Sequence, residues 1–291
     1  MDQAARLRSM IKEKESEEQK PGARVLTITS GKGGVGKSST AVNLAVQFRK
    51  LGYRVMILDA DFGLANIEVM FGAIPKFNLY DVIQRGKSIE DVIVEGPMGI
   101  KFISGGSGVF EMANMTSDDI KYLTSKLSEL EQMTDIIIVD TGAGISESVL
   151  QFITAGGEVL LVTTPEPTSI TDSYALLKTL NMHPAYDKNT TKVKVITNRV
   201  KNSDEGNALF SKLSIVVRQF LQMDVELLGM IPQDTYILKS VMQQQPVSLA
   251  YENSGAAKAY ELIARKLMQM EKAPEKRGIS RMFANMFKAK F

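Results

Sequence analysis

The sequence of 291 residues predicts an α/β fold with a doubly wound, mostly parallel sheet. Three observations support this. Short apolar runs recur as buried parallel strands do, helical stretches separate most of them, and a glycine-rich turn joins the first strand to the first helix. The predicted strands are residues 25–28, 55–58, 100–104, 136–139, 159–162, 193–197 and 226–230. The predicted helices are residues 38–50, 118–133, 147–154, 171–180, 205–222 and 255–270.

The glycine-rich turn carries a phosphate-binding pattern. Gly31, Gly36, Lys37 and Ser38 match G-x-x-x-x-G-K-[ST] between a strand and a helix. Glycines let successive N–H groups point at phosphate oxygens, and the helix N-terminus adds partial positive charge. We expect Lys37 to reach the β- and γ-phosphates and Ser38 to ligate Mg²⁺. The predicted nucleotide-binding loop contains Gly31, Lys32, Gly33, Gly34, Val35, Gly36, Lys37, Ser38 and Ser39.

A second lysine, Lys32, directly follows Gly31 and gives the run Lys-Gly-Gly-Val-Gly-Lys-Ser. This run resembles the deviant Walker A motif of the MinD/ParA group of P-loop ATPases. The resemblance implies that Lys32 crosses a dimer interface to the partner's nucleotide, so that two subunits enclose two ATP molecules. From the residues alone, Lys32 can also be an exposed loop charge, as most lone lysines are.

Carboxylates follow two of the predicted strands. Asp59 and Asp61, spaced i, i+2, can face one Mg²⁺–phosphate centre, although aspartate is also common in turns after strands. Residues 135–140 form a Walker B pattern, a hydrophobic strand that ends in Asp140 and delivers this carboxylate to the water shell of the metal. Residues 59–66 resemble switch I of MinD-type ATPases. That resemblance implies that Asp61 positions the attacking water and that Asp59 lies in the outer shell of Mg²⁺.

The resemblance extends to switch II and to the base site. Residues 141–144 resemble switch II, where Gly142 replaces the usual proline and predicts a more mobile loop. Asn198, followed by Arg199, resembles the asparagine that reads adenine. Residues 229–234 resemble the loop that closes over the purine, although Asn and Pro-Asp pairs are also ordinary turn formers. The predicted base contacts are Asn198, Arg199, Pro232, Gln233 and Asp234. No N-K-x-D motif is present, which favours ATP over GTP, and the predicted cofactors are ATP or ADP with Mg²⁺.

The C-terminal segment combines charge with an apolar stripe. Residues 272–291 carry a net charge of +5, which leaves −3 for the rest of a chain whose net charge is +2. One helical face of this segment carries the apolar residues Ile279, Met282, Phe283, Met286 and Phe287. A basic amphipathic helix favours reversible binding to anionic membrane lipids, and this one is too short to span a bilayer. The alternative is a terminal helix docked on the core, and both states are compatible if the nucleotide selects between them.

The N-terminal segment is polar and precedes the first strand. It begins Asp2-Gln3-Ala4-Ala5-Arg6-Leu7-Arg8, which is similar to the start of the FlhG family (also called YlxH or FleN) of MinD-like regulators of flagellar number and placement. The resemblance implies an arm that stimulates the signal-recognition-type GTPase FlhF through Asp2, Gln3, Leu7 and Arg8, with the glutamine as the key residue. It also implies flagellar C-ring partners and a cytoplasmic protein peripheral to the inner face of the cell membrane.

Three segments follow from these patterns: an arm (residues 1–23), an ATPase domain (24–271) and a linker with the amphipathic helix (272–291). Two alternatives within the group are a septum-site ATPase of the MinD type and a partition ATPase of the ParA type. Specific nucleic-acid binding is not expected, because the tail is amphipathic and the remainder is slightly acidic. With no cysteine, the chain cannot ligate an iron–sulfur cluster through thiolates. Intact Lys37, Asp61 and Asp140 argue against an adaptor that binds nucleotide without hydrolysing it.

Overall fold

The computed structural model describes residues 22–61, 66–106, 117–269 and 278–287, and this part of the chain folds around one sheet of eight strands. The strands are β1 (Arg24–Ser30), β2 (Val55–Ala60), β3 (Ile93–Glu95), β4 (Lys101–Ser104), β5 (Ile136–Ala143), β6 (Glu158–Thr163), β7 (Lys192–Val200) and β8 (Val225–Pro232). Their order is β3-β4-β2-β5-β1-β6-β7-β8, and only β3 is antiparallel to its neighbour. The predicted fold class is therefore confirmed.

Helices cover both faces of this sheet. They are α1 (Lys37–Lys50), α2 (Asn66–Phe71), α3 (Leu79–Gln84), α4 (Ser117–Met133), α5 (Glu147–Gly156), α6 (Pro167–Met182), α7 (Ser203–Leu221), α8 (Thr235–Met242), α9 (Val247–Ala250), α10 (Gly255–Gln269) and α11 (Ile279–Phe287). Alternate residues of β1 face opposite sides. Leu26 and Ile28 pack with α1 and α10, whereas Val25 packs with α4, α5 and α11.

Most predicted elements are present with ends shifted by a few residues, and two of these shifts bear on the site. Helix α6 begins at Pro167 rather than at residue 171, because proline has the backbone angle of a first helical turn and needs no N–H there. Strand β8 extends to Pro232, so residues 231 and 232, which were predicted to lie in the loop over the base and beyond the strand, are part of the sheet. Only Gln233 and Asp234 form the connection to α8.

The C-terminal helix α11 is docked on the core. Ile279, Met282, Phe283 and Met286 are each at most 6% exposed, and they share one apolar cluster with residues of α4, α5 and the sheet. The rings of Phe283 and Phe152 meet edge to face at 5.9 Å. In this state these four residues of the stripe predicted to bind lipid are buried, which is the docked alternative, and the side chain of the fifth, Phe287, lies outside the described part of the chain. No helix in the described ranges is long and apolar enough to cross a membrane.

Several predicted residues lie outside the described ranges. They include the arm residues Asp2, Gln3, Leu7 and Arg8, residues 62–65 of switch I, and residues 272–277 and 288–291 of the tail. The one histidine, His183, is partly buried, with a side chain that is 13% exposed and an Nε2 that lies 3.3 Å from the Glu147 carboxylate.

Candidate nucleotide-binding site

The predicted site residues meet at one edge of the sheet. Strands β1, β2, β5, β7 and β8 run parallel, so their carboxyl ends lie along the same edge, where α/β sheets bind ligands. Asp140 on β5 lies beside Ile28 of β1 on one side and beside Asp59 of β2 on the other. The sheet register alone therefore brings the two carboxylates together, next to the loop that follows β1.

The loop between β1 and α1 has the backbone geometry of a phosphate cradle. Gly34 and Gly36 have φ angles of +76° and +95°, the left-handed region that favours glycine. A Cβ atom on Gly36 would lie 2.4 Å from the Asn198 side-chain nitrogen, so the close approach of these residues also requires glycine. Gly36 provides no capping side chain for α1. The first N–H groups of this helix are therefore suited to bind phosphate oxygens.

Lys37 connects the loop to the carboxylates. It is the first residue of α1 and is 7% exposed. Its Nζ lies 3.2 Å from Asp140 Oδ1 and 3.6 Å from Asp61 Oδ2. The structure thus brings together three predicted catalytic residues, each from a different segment of the chain.

The carboxylates on β2 and β5 occupy an environment that disfavours negative charge. Burial raises the pKa of Asp59 to about 7, and the neighbouring Asp140 contributes to the shift. Burial also raises the pKa of Asp140, against the opposing charge of Lys37. The backbone N–H groups of Asp61 and Ile67 donate to the Asp59 carboxylate at 3.1 and 3.4 Å. A cation at this position would stabilise the ionised forms of both acids.

The second lysine of the loop points away from this centre. Lys32 Nζ donates to Glu166 Oε2 and to Thr168 Oγ1, both at 2.8 Å. Its side chain is 36% exposed, and Lys32 does not line the nucleotide cavity. The hydrogen bond and charge of Lys32 lower the pKa of Glu166. Lys37 therefore serves the site of its own chain, while Lys32 is held at the surface by the start of α6.

The two predicted base-site residues near the end of β7 contact the P-loop. Asn198 is 2% exposed, and its side-chain nitrogen donates to Val35 O at 2.7 Å. Its side-chain oxygen accepts the Arg199 N–H at 2.8 Å. Arg199 has a φ of +58° and donates from its guanidinium to Gly34 O at 2.7 Å. These contacts hold the loop against β7 and leave Asn198 at the wall of the cavity.

A cavity of about 940 Å³ lies in front of the P-loop. The predicted residues that line it are Gly33, Gly34, Gly36, Lys37, Ser38, Ser39, Asp61, Asn198, Arg199, Gln233 and Asp234. The remaining predicted site residues, Gly31, Lys32, Val35, Asp59, Asp140 and Pro232, are not in the lining. Asp140 is the fully buried partner of Lys37, Asp59 lies beside Asp140 in the sheet, and Val35 is buried in the core.

Sequence reasoning missed one wall of this cavity. Apolar side chains from two helices also line it: Met70 of α2, and Ile237, Leu238 and Val241 of α8. An apolar surface of this kind suits a flat aromatic base. The only sequence signal was the recurrence of apolar residues in the segment after Asp234. The carboxylate of Asp234 caps two helices, because it accepts N–H groups of Tyr236 and Ala256 at 2.9 and 3.0 Å.

Residues of predicted switch II continue the central strand. Residues 141–143 belong to β5, and the Gly144 N–H donates to Ser30 O at 2.9 Å. Gly144 has a φ of +93°, which turns the chain towards α5. The segment that is predicted to sense the γ-phosphate is therefore hydrogen-bonded directly to the end of β1, next to the P-loop.

The donor set fits a small divalent cation. Asp140 Oδ2 is buried and has no hydrogen-bond partner, although a carboxylate oxygen in such a position is normally bound. No group of three or more acidic or histidine side chains in the described ranges is arranged to hold a metal by itself. This suits Mg²⁺, which usually keeps several waters and binds through one or two protein groups plus phosphate oxygens. Ser38 and Asp140 are the predicted groups that could hold it.

Comparisons with known proteins agree with this geometry. The family model described as ParA, NUBPL iron-transfer P-loop NTPase, matches residues 22–268. Antiactivator FleN of Pseudomonas aeruginosa is 41% identical over 244 residues, which cover 84% of this chain and 86% of FleN. Flagellum site-determining protein YlxH of Helicobacter pylori is 33% identical over 257 residues, which cover 84% and 82%. The crystal structure of the cell division ATPase MinD from Pyrococcus furiosus has 25% identity and a TM-score of 0.67, and the match covers 86% of this chain and 100% of that one.

The sheet order, the glycine-rich cradle and the carboxylates behind Lys37 define a P-loop NTPase. The chain belongs to the ParA/MinD family of these proteins and is an ATP hydrolase. The family model is named after an iron-transfer NTPase, and this chain has no cysteine.

Proposed function

We propose that this protein is an ATP-operated switch that regulates the number and placement of flagella. The observation that carries the proposal is the different placement of the two P-loop lysines. Lys37 lies at the carboxylates of its own site, whereas Lys32 is held at the surface by Glu166 and Thr168. The similarity to FleN and YlxH supports the flagellar role, because the names of both relatives refer to flagella or to regulation.

The position of Lys32 supports an ATP-dependent homodimer. A lysine that is 36% exposed and bound to an exposed carboxylate loses little when it leaves that partner, since solvent screens such an ion pair. A nucleotide phosphate carried by a second copy offers Lys32 more negative charge than Glu166 does. ATP would thus exchange the intrachain Lys32–Glu166 contact for one across the dimer.

Turnover depends on positioning and electrostatics, as in other phosphoryl-transfer enzymes. In the proposed mechanism the P-loop N–H groups and Lys37 bind the phosphates, and Asp61 orients the attacking water. Asn66 donates to Asp61 at 3.5 Å, and Lys37 lies 3.6 Å from the same carboxylate oxygen, so two groups fix the position of Asp61. When bound, Mg²⁺ would neutralise charge between the phosphates, with Ser38 and Asp140 as its protein partners and Asp59 behind them.

The tail supplies the proposed membrane contact. Each buried apolar side chain of α11 contributes about 1.5–3 kcal/mol to docking, and a lipid surface offers the same side chains a comparable environment. Docking and lipid binding therefore compete for Ile279, Met282, Phe283 and Met286. One helix binds membranes weakly, so two helices on an ATP-bound dimer would bind much more firmly through avidity. The protein would then cycle between the cytoplasm and the inner face of the cell membrane.

A pair of substitutions tests this competition. Phe283→Glu should abolish sedimentation with vesicles of anionic phosphatidylglycerol, because the charge is excluded from lipid. Phe152→Ala should increase sedimentation, because it removes the ring on α5 that contacts Phe283 and leaves α11 itself unchanged. Wild-type binding by the Phe283→Glu protein would rule out α11 as the membrane contact. Equal binding of the ATP and ADP forms would rule out the nucleotide switch.

The arm supplies the proposed contact with the FlhF-type GTPase. Residues 1–20 are polar and hold too few apolar residues to form a core, so folding onto a partner is their expected use. A peptide of residues 1–20 should raise GTP turnover by that enzyme. Gln3→Ala should remove the stimulation and leave the ATPase activity of the full protein unchanged, since the arm precedes the P-loop domain. Equal stimulation by the two peptides would overturn the role of Gln3 and favour a MinD-type function in cell division.

A further inference from the structure

The described chain begins beside the start of its C-terminal helix. Gly22, two residues before β1, lies against Gly278, the residue that precedes α11. A Cβ atom built on Gly22 would be 3.5 Å from the Gly278 Cα. Both residues surround one carboxylate, that of Glu131 in the last turn of α4.

Glu131 caps α11 from outside the helix. Its Oε1 accepts the Ser280 N–H at 2.9 Å and also the Ser280 hydroxyl. Gly278 has no side chain that could satisfy this N–H group, so the carboxylate of another helix does so. An acid near the end of α4 is unfavourable for the dipole of that helix, but the same charge is favourable at the start of α11. The position of Glu131 therefore serves α11 rather than its own helix.

The same carboxylate excludes side chains from both glycines. A Cβ on Gly278 would lie 2.0 Å from Glu131 Oε2, and one on Gly22 would lie 2.7 Å from it. The chain before β1 is thus in contact with the group that caps α11. Displacement of either Gly22 or Gly278 changes the room available to Glu131.

A second contact joins the start of β1 to the C-terminal part of the chain. Arg24, two residues after Gly22, donates to Leu267 O near the end of α10 at 2.8 Å. The chain leaves α10 at Gln269 and re-enters the described structure at Gly278. Leu267 and Gly278 therefore both lie near the start of β1.

We propose that Glu131 is a latch that couples the segment entering β1 at Gly22 to the docking of α11. Tension or rearrangement before Gly22, such as a partner bound to residues 1–21 would cause, displaces the carboxylate and uncaps α11. Because coupling is reciprocal, release of α11 also loosens the chain at Gly22. The latch is independent of lipid and nucleotide, and only its use in membrane attachment rests on the proposed function.

Hydrogen–deuterium exchange of the full-length protein, without lipid or nucleotide, tests the latch. Glu131→Gln weakens a charge-assisted cap, so we expect amides 280–287 to exchange about tenfold faster. Gly22→Ala should accelerate exchange in the same amides, although it lies outside α11, because its Cβ displaces Glu131. Glu129→Gln, on the same helix, should leave exchange in α11 unchanged, because Glu129 pairs only with Lys126 in the hydrogen bonds described.

The reverse direction of the coupling is tested with Phe283→Glu. This substitution undocks α11 in the full chain and should accelerate exchange at residues 22–24. Unchanged α11 exchange in Glu131→Gln would overturn the latch. Faster α11 exchange in Glu131→Gln together with wild-type exchange in Gly22→Ala would leave Glu131 as a helix cap and overturn the coupling. Vesicle binding is measured in a separate experiment. If α11 does not bind lipid, the interpretation of the exchange results is unchanged.

Discussion

Replacement of Glu158 by glutamine should lower the free energy of unfolding by about 3–5 kcal/mol, the usual cost of breaking a buried ion pair. Glu158 begins β6 and is 4% exposed. Its carboxylate accepts two bonds from Arg24, at 2.8 and 2.7 Å, and one from Lys194 at 2.9 Å. A neutral glutamine would leave two buried cations side by side on β1 and β7. Urea unfolding measures the loss.

The effect of Glu158 should depend on pH in a defined direction. Burial alone would raise its pKa, but the hydrogen bonds and charges of Arg24 and Lys194 outweigh burial and lower the pKa. The stabilisation is therefore complete above the unfolded-state pKa of about 4.3 and is lost as the pH falls through the lower folded-state value. The difference between wild type and Glu158→Gln should shrink in that acid range.

An exposed ion pair provides the control. Glu261 and Arg265 form an i, i+4 pair on α10 with side chains 46% and 54% exposed. Glu261→Gln should change the stability by less than about 1 kcal/mol. If Glu158→Gln lowered the free energy of unfolding no more than Glu261→Gln does, the buried ion pairs of Glu158 with Arg24 and Lys194 would not stabilise the fold.

Lys37→Ala should reduce ATP turnover by a factor of about 10²–10³, the cost of removing one preorganised group that stabilises transition-state charge. Lys37 is the one cation that the described structure places at both Asp61 and Asp140. Its loss also leaves Asp140, which is fully buried, without its charge partner. Steady-state turnover and nucleotide affinity are measured separately. Together they show how much of the loss is in catalysis and how much is in nucleotide binding.

Lys50→Ala is the matched variant at the opposite end of α1. Lys50 pairs with Glu252 and with the Ser248 carbonyl, far along the helix from the P-loop. Its turnover should equal that of the wild type. If Lys37→Ala retained more than a tenth of wild-type activity, Lys37 would not hold the transferred phosphate.

The sequence predicted the phosphate cradle well because its geometry is local. The pattern from Gly31 to Ser38 needs only a strand before it and a helix after it, and the structure has both. Asp59 and Asp140 were predictable for a related reason. Each follows a strongly apolar run of the sequence, and parallel strands deliver their carboxyl-terminal parts to one edge.

Features that depend on distant contacts were not predictable. Glu166 lies 134 residues from Lys32, and nothing in its own segment indicates that it binds the P-loop lysine. The apolar stripe of α11 fits lipid and protein equally well, since amphipathic spacing does not specify what covers the apolar face. Its docking depends on the groove between α4 and α5, which only the folded chain creates. Strand β3 is three residues long, too short to show an alternating pattern.

Multi-angle light scattering with Mg-ATP tests the central claim, that the two P-loop lysines serve two different copies of the site. Asp61→Ala should block hydrolysis but keep both lysines, so it should accumulate as a dimer at saturating ATP and be a monomer with ADP. Lys32→Ala should remain monomeric under the same conditions, although its own cradle and Lys37 are intact. An Asp61→Ala protein that stays monomeric with ATP, or a Lys32→Ala protein that dimerises as readily, would contradict the account.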